Sequence, residues 1–218
     1  DIREVSSTRA QLSSFNTAKG RMLASLLIWR EGEDYLMQLP HVLSETMRKK
    51  LGMYVLRAKV KIADAGGEIV SLGLSGADTQ EILRARFGEL PQEKLTLTVR
   101  PEFVEGDGSF SEKASTGSAR TDILAGSVLK ISDTRWQINA TPPQAQMLWA
   151  ELSRHTQPSG SVCWDWLNIR SGIPVILPQT QEQFVPQMVN LDLIGGVNFK
   201  KGCYPGQEIV ARMQYLGK

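Results

Sequence analysis

The stretch Lys201-Gly202-Cys203-Tyr204-Pro205-Gly206-Gln207-Glu208 is the most informative part of this chain. It combines a lysine, a thiol, two glycines, an amide and a carboxylate, a mixture that a packing segment rarely needs. The glycines predict a turn whose backbone other side chains would not tolerate. The residues that follow predict a helix, in which Glu208 and Arg212 have the i,i+4 spacing of an ion pair.

Cys203 is the candidate reactive group of this stretch. It lies beside Lys201 and just before the predicted helix N-terminus, and both neighbours favour a thiolate. Against this, a free cysteine is more often an inert, buried, small hydrophobic residue. From the residues alone, Cys203 is therefore a reactive thiolate, a sulfur or metal contact, a one-carbon acceptor or a packing residue.

The motif resembles the signature of the YgfZ family, whose members are relatives of the glycine-cleavage T-protein, an aminomethyltransferase. The matching pattern is Lys-Gly-Cys-Tyr-x-Gly-Gln-Glu-x-x-x-Arg, from Lys201 to Arg212. The resemblance continues upstream through residues 184–191 and 195–200. It appears again near the front, where residues 16–23, Asn-Thr-Ala-Lys-Gly-Arg-Met-Leu, are similar to the family's Lys-Gly-Arg-x-Leu segment. Most of the chain is covered, although the middle is only weakly alike.

The resemblance implies an α+β, multi-domain, aminomethyltransferase-like folate-binding fold with a ferredoxin-like middle domain. We expect residues 1–52 to form the first part of the folate-binding domain and residues 53–156 to form an inserted α+β domain. Residues 157–218 would return to the folate-binding domain and carry the motif. Relative to family members both ends look cut, so we expect the family's C-terminal β-barrel to be absent from this chain.

The resemblance also implies a function. Proteins of this family would bind tetrahydrofolate or a derivative and support the assembly or repair of iron–sulfur enzymes, some of which modify tRNA. The implied partners are a reduced folate and iron–sulfur proteins or their assembly machinery in the cytoplasm, with no direct nucleic acid and no membrane. A folate-dependent aminomethyl transferase and a non-catalytic interaction scaffold are the alternatives, and the sequence leaves open whether any reaction is catalysed.

Within the motif, the resemblance implies that Cys203 is the reactive or ligating group and Lys201 its electrostatic partner. The supporting motif residues are Tyr204, Gly206, Gln207, Glu208 and Arg212. Lys201 and Arg212 would also suit an anionic ligand tail, since both carry a positive charge. Gln207 and Glu208 are suited to cap free backbone N–H groups of the turn.

For the folate, the resemblance places a pterin-contacting tryptophan at Trp164. An indole face suits a flat ring, and ordinary core packing is the alternative. Asn168 and Arg170 follow on the same predicted helix as candidate cofactor-binding residues. T-proteins have a carboxylate in this helix that hydrogen-bonds the amino edge of the pterin, and this chain has Arg170 at that position. The resemblance therefore leaves open how the pterin edge would be recognised in this chain.

Composition narrows the classes of function. The chain has 218 residues, of which 41% are hydrophobic and 22% charged, and its formal charge of +2 gives no strong reason to expect nucleic acid. No apolar run is long enough to span a bilayer. The cysteines, Cys163 and Cys203, form no disulfide framework and suit a reducing cytosol, and Cys163 is expected to be a packing residue. The two histidines lie far from both cysteines, so no metal-ligand spacing appears.

Hydrophobic periodicity predicts an α+β sandwich with helices on one sheet face. We expect strands at residues 22–29, 35–39, 59–62, 69–74, 94–100, 126–131 and 135–140. The expected helices cover residues 40–52, 78–87, 141–152 and 162–171, and a last one starts at Glu208. A capping box is expected at Asp78, and a Gly/Ser-rich loop between residues 105 and 120.

Overall fold

The computed structural model describes residues 2–99 and 126–216 of the chain. These residues form a mixed fold of helices and two open antiparallel sheets, which confirms the predicted α+β class. The expected Gly/Ser-rich loop lies outside the described residues.

The first three strands form a sheet that we call the front sheet. It consists of β1 (Gln11–Asn16), β2 (Met22–Glu31) and β3 (Asp34–Gln38), in the order β1-β2-β3. The hairpin between β2 and β3 turns at Gly32, where φ is +56°. Helix α1 (Ser44–Gly52) follows a 3-10 turn and packs on one face of this sheet, and Leu43 and Met47 are buried with the apolar residues of β2.

The remaining strands form a second sheet, the middle sheet. It consists of β4 (Val70–Ser75), β5 (Leu97–Val99), β6 (Ser127–Ser132) and β7 (Arg135–Ala140), in the order β4-β7-β6-β5. Helices α2 (Thr79–Phe87) and α3 (Pro142–Leu152) cover one face of it. Their shared core includes Leu83, Phe87, Trp136, Ile138 and Leu148. The predicted placement of the helices on one sheet face is therefore confirmed.

The order of elements in the middle sheet differs from that of a ferredoxin-like unit. Among the described residues the order is strand, helix, three strands, helix, whereas a ferredoxin-like unit runs β-α-β-β-α-β. The expectation of a ferredoxin-like middle domain is not met by the part of the chain that the structure describes.

Two strand predictions need correction. Residues 59–62 form no strand, and Val60 is 59% exposed, so their alternation does not reflect a buried face. The strand expected at residues 94–100 begins only at Leu97. Leu95 has a φ of +58°, outside the extended region, and the Thr96 N–H bonds back to the Glu93 carbonyl in a turn.

The expected capping box at Asp78 is also absent. Helix α2 begins at Thr79, but Asp78 already has helical backbone angles and its side chain makes no cap hydrogen bond. A capping side chain needs an extended backbone at its own position. Gly88 ends this helix as predicted, with a φ of +73°.

Part of the C-terminal region, from residue 176 onward, packs on the front sheet. Helix α4 (Ser161–Arg170) is followed by an irregular stretch and then by helix α5 (Gln207–Leu216). Met22, at the start of β2, is buried with Ile176 and Leu191. Its N–H donates to the Phe184 carbonyl, and its carbonyl accepts from the Glu182 N–H, both at 2.8 Å. The irregular stretch is thus fixed to β2 by backbone pairing.

The two sheets face each other across a layer of buried side chains. One part of this layer is apolar and contains Trp29, Leu97 and Leu129. The other part is polar and is described with the site below. Among the helices of the described residues, none has the length and apolar character needed to cross a bilayer.

Candidate functional site

The motif from Lys201 to Glu208 folds as a turn fixed by side-chain amides. The Asn198 Oδ1 atom accepts hydrogen bonds from the backbone N–H groups of Lys200 (2.8 Å) and Lys201 (3.0 Å). The Tyr204 N–H donates to Gln207 Oε1 at 3.3 Å, just before α5 begins. The capping interaction predicted for Gln207 is therefore formed. In residues 2–99 and 126–216, Glu208 makes no equivalent bond.

Two glycine turns meet where the motif reaches the front of the chain. Gly206 has a φ of +82°, and a Cβ there would lie 2.5 Å from the Thr17 carbonyl oxygen and 2.6 Å from Gly20 N. Gly20 has a φ of +71°, and its Cβ would lie 3.0 Å from Cβ of Ile209. A side chain at Gly206 would displace backbone, so glycine is required there. This glycine contact joins the front segment and the C-terminal motif, the two segments quoted for the resemblance.

Beside this contact, the motif borders a cleft of about 320 Å³ that we call the motif cleft. Cys203 is exposed there as a free thiol, next to Lys201. The Lys201 Nζ atom lies 4.2 Å from the centre of the Tyr204 ring. Burial lowers the pKa of Lys201 and raises the pKa of Tyr204. The other walls come from the start of the chain, β1 and β2: Ile2, Arg3, Gln11, Ser13 and Ile28.

This arrangement can hold a small anionic or electrophilic group. The thiol is reachable from solvent, and the nearby lysine is partly desolvated, which strengthens its attraction for a negative charge. Among the described residues, no cluster of three His, Cys, Asp or Glu side chains is arranged to hold a metal ion.

The predicted ion pair between Glu208 and Arg212 is wrong. Both side chains are exposed, and no ion pair within the described part of the chain includes either residue. An exposed pair on one helix gains little in water and loses side-chain entropy, so both groups stay solvated. Arg212 lies on α5 and is not among the residues that line the motif cleft.

A second and larger cavity, of about 640 Å³, contains Trp164 in its wall. We call it the Trp164 cavity. It runs along β4, the edge strand of the middle sheet, and shares no lining residue with the motif cleft. One wall consists of residues 71–75 of β4, and others come from the end of α3 and its connection to α4. Helix α4 contributes Cys163, Trp164 and Leu167. Two glutamines, Gln38 and Gln137, complete the lining.

Trp164 lies directly against the edge strand because Gly73 has no side chain. A Cβ at Gly73 would clash with the Cε3 atom of the indole. The guanidinium carbon of Arg135 lies 4.3 Å from the ring centre, within cation–π distance. Two contacts from the middle sheet therefore fix the indole that borders the cavity.

Asn168 is held by the same arginine. Arg135 is only 3% exposed. Its Nη2 donates to Asn168 Oδ1 at 2.8 Å, while Nη1 donates to the Leu167 carbonyl and the Ser171 hydroxyl, both at 3.1 Å. Burial lowers the pKa of Arg135. Three hydrogen bonds from one guanidinium thus attach the end of α4 to the middle sheet.

Arg170 lies apart from this group. Its guanidinium carbon is 5.1 Å from the ring centre of Trp166, and both side chains are exposed. The structure brings Trp164 and Asn168 together around Arg135, but not Arg170. Cys163, expected to be a packing residue, is exposed and lines the Trp164 cavity, and both cysteines are free.

Sequence reasoning missed the polar layer, by which we mean Gln38, Gln137, Asn139, Ser127 and Glu31. Gln137 Nε2 donates to Gln38 Oε1 at 2.7 Å and to Asn139 Oδ1 at 2.8 Å. Asn139 Nδ2 donates to Ser127 Oγ at 3.1 Å.

The far end of the polar layer is a buried carboxylate. Glu31 accepts hydrogen bonds from Trp29 Nε1, at 2.9 Å, and from Ser127. Burial raises the pKa of Glu31, and these two bonds partly offset the effect. The sequence signal for this layer was the alternation of polar residues along β7, at positions 135, 137 and 139. Such alternation usually indicates a solvent-exposed face of a strand. In the structure the front sheet covers that face, and the polar side chains are buried.

Comparison with known proteins identifies relatives along the whole chain. The tRNA-modifying protein YgfZ of Shigella boydii serotype 4 is 31% identical over 217 residues, which is 100% of this chain and 60% of that protein. Its namesake from Photobacterium profundum is 32% identical over 203 residues, covering 92% of this chain and 53% of that protein. The Escherichia coli protein of the same name is 30% identical over 217 residues, covering 100% of this chain and 60% of that protein. The chain spans about half to three fifths of these relatives, and no family model matches it.

Proposed function

Because this chain belongs to the YgfZ family, with about 30% identity along its full length, we propose that it binds tetrahydrofolate or a closely related reduced folate in the Trp164 cavity. One observation carries the proposal, namely that a cavity of about 640 Å³ has the indole of Trp164 in its wall. This volume lies within the range of about 300–1,000 Å³ that is usual for ligand sites. An indole face is well suited to stack on a pterin ring.

The residues around the cavity fit such a ligand. The cavity wall combines apolar groups, such as Leu72 and Leu167, with a few polar ones, such as Ser71 and Gln137. Sites for small molecules commonly have this composition, in which the polar groups orient the ligand. A reduced folate bound there would supply one-carbon chemistry, while the chain would bind and orient its ring.

The candidate folate residues take different parts in this proposal. Trp164 contacts the ring. Asn168 is already bonded to Arg135, so it holds α4 in place. Arg170 stacks on Trp166 and does not line the cavity. It therefore does not substitute for the carboxylate that T-proteins use at the pterin edge.

We further propose that the complete protein is a cytoplasmic, multi-domain, aminomethyltransferase-like protein that supports the assembly or repair of iron–sulfur enzymes. In this role Cys203 would act at the motif cleft, where it is exposed beside Lys201. The relatives are named for tRNA modification, and an effect on iron–sulfur enzymes that modify tRNA would account for that name without direct contact with RNA.

Tryptophan fluorescence tests the folate site. Titration with tetrahydrofolate should quench the emission of the wild-type chain, and Trp164→Ala should lose most of this quenching because the stacking partner is gone. The chain has five tryptophans, so a matched control is needed. Trp166→Ala removes an exposed indole on the same helix that does not line the cavity, and it should bind as the wild type does.

Equal binding by the wild type and Trp164→Ala would place the ligand elsewhere. No binding by the wild type at millimolar tetrahydrofolate, in a protein extended to the length of its relatives, would refute the proposed function.

A further inference from the structure

Two glutamine side chains bring the polar layer to the surface of the Trp164 cavity. Gln38 comes from β3 in the front sheet and Gln137 from β7 in the middle sheet, and both line the cavity. They are joined by a hydrogen bond of 2.7 Å. Behind them lie Asn139, Ser127 and Glu31, which do not reach the cavity.

The carboxylate of Glu31 sets the direction of this chain of hydrogen bonds. An ionised carboxylate only accepts, so the Ser127 hydroxyl hydrogen points towards Glu31. The Ser127 oxygen is then free to accept from the Asn139 NH₂ group. This orients Asn139 with its oxygen towards Gln137, from which it accepts a hydrogen bond at 2.8 Å.

This order of donors and acceptors also determines which hydrogen-bonding groups of Gln38 and Gln137 remain available to a ligand. Gln137 uses its NH₂ group for both Gln38 Oε1 and Asn139 Oδ1. Its own Oε1 has no hydrogen-bond donor within the described residues, although the residue as a whole is only 3% exposed. Gln38 uses its oxygen as an acceptor, so its NH₂ group is left to donate. The cavity wall therefore presents an acceptor next to a donor.

An acceptor beside a donor complements a cyclic amide, in which a ring N–H adjoins a carbonyl group. A pterin has this arrangement at N3 and the 4-oxo group, whereas its 4-amino analogue has an acceptor nitrogen and an amino donor in their place. We propose that Gln137 Oε1 accepts from the ring N–H and that Gln38 Nε2 donates to the 4-oxo group of the bound heterocycle. This inference rests on the proposed function, because it assigns the specificity of the same cavity.

Specificity of this kind is measurable because unpaired buried groups are costly. A ligand with the wrong polarity leaves the oxygen of Gln137 facing an acceptor inside the cavity, and such mismatches are rejected strongly. The wild type should bind tetrahydrofolate at least about tenfold more tightly than the 4-amino analogue of tetrahydrofolate.

Gln38→Glu should alter this preference without removing the internal bond. The new carboxylate still accepts from Gln137 Nε2, but the group facing the cavity becomes an acceptor. We expect the ratio of the two dissociation constants to shift by about tenfold or more towards the 4-amino analogue. Gln38→Met removes the donor without adding charge and should weaken tetrahydrofolate binding more than binding of the analogue.

Gln157→Glu is the matched control. Gln157 also lines the Trp164 cavity but lies outside the polar layer, so this variant adds the same charge without changing the proposed donor. Because Gln157 belongs to the cavity wall, the control readout is the ratio of the two dissociation constants, which should equal that of the wild type, and not either constant alone. All variants are first compared with the wild type by circular dichroism, so that a loss of fold is recognised.

The outcomes separate this inference from the proposed function. If the wild type binds tetrahydrofolate and Trp164→Ala does not, but Gln38→Glu and Gln38→Met keep the wild-type preference, the folate site stands and the glutamine assignment is wrong. If Gln157→Glu shifted the ratio of the two dissociation constants by the same amount, the added negative charge alone would explain the shift. That result would also overturn the assignment. If the wild type binds neither ligand, both the site and the assignment are refuted.

Discussion

At the scale of single residues, Glu31 is a buried carboxylate that orders its neighbours. It is 3% exposed, and its hydrogen bonds come from Trp29 and Ser127. A charge in this position is costly, and the cost appears as a raised pKa. Glu31 therefore determines which groups donate and which accept in the hydrogen bonds of the polar layer. Its burial lowers the stability of the folded chain near neutral pH.

Glu31→Gln should reveal this cost as a change in the pH dependence of stability. Because the folded-state pKa is raised above the ordinary value of 4.5, the folded chain binds the proton more tightly than the unfolded chain. The contribution of Glu31 to stability is therefore fully present below about pH 4.5 and is lost as pH rises through the folded-state pKa.

Urea unfolding of both chains from pH 4 to pH 8 measures this effect. The free energy of unfolding of the wild type should fall relative to that of Glu31→Gln as pH rises, and the difference should then level off. If the difference in free energy of unfolding between the two chains stayed constant across this range, the pKa of Glu31 would not be raised in the folded state.

Residues in the contiguous motif were easier to find from the sequence than residues in the polar layer. Lys201 and Cys203 are adjacent in sequence to the glycines that shape their turn, so local chemistry marks them. Gln38 and Gln137 lie on strands of different sheets, 99 residues apart. Nothing in their local sequence shows that the two strands face each other, and that pairing depends on how the two sheets pack.

At the scale of elements, α4 depends on a small number of contacts. None of its residues is fully buried. Its position is set by the contact of Trp164 with Gly73 and by the hydrogen bonds that Arg135 donates to its last turn. Since these contacts also define one wall of the cavity, the helix and the site should respond together to a change in β4.

Gly73→Ala should displace α4 and damage the cavity. The added Cβ would overlap the Trp164 ring, so the indole must move, and overpacking of this kind costs about 1–3 kcal/mol. The free energy of unfolding should fall by that amount, and quenching by tetrahydrofolate should weaken with it.

Gly52→Ala serves as the control for this change. A Cβ at Gly52, in α1, meets no atom within 4 Å, so stability should change by no more than about 1 kcal/mol. If Gly73→Ala behaved as this control does, the indole would not be resting against the edge strand.

Most elements follow from the sequence because their patterns are local. Strands β2, β6 and β7 and all five α-helices of the described residues were expected close to their observed bounds. The strand expected at residues 94–100 is shortened by Leu95, whose left-handed backbone has no marker in its residue type. The alternation at residues 59–62 is real, but alternation forms a strand only where a partner strand is available.

At the scale of the whole molecule, the motif cleft and the Trp164 cavity are separate sites on one chain. The first contains the thiol and the second the indole, and they share no lining residue. The division into residues 1–52, 53–156 and 157–218 stays a prediction. What the structure adds is that the C-terminal residues pack on β2 and that the glycine contact connects the motif to the front segment.

Cys203→Ser tests the cellular role of the whole protein. Under the proposed role, iron–sulfur enzyme activity in cells that lack their own copy should fall with this variant to the level seen without the protein, because a hydroxyl does not replace the thiol. Cys163→Ser is the matched control, since Cys163 is also free and exposed but lies at the other cavity. Full activity with Cys203→Ser would instead favour a scaffold that needs no thiol chemistry.

The backbone pairing of Met22 with residues 182 and 184 has a consequence for synthesis on the ribosome. Arg21 Nη1 donates to the Gln183 carbonyl, 162 residues later in the chain, and the Ile176 N–H donates to Ser25 Oγ across 151 residues. At about 5–20 residues per second, the start of β2 waits roughly 10–30 s for its partners to be translated. During that interval Met22 lacks Ile176 and Leu191, the residues with which it is buried in the finished fold, so the start of β2 is completed only late in synthesis.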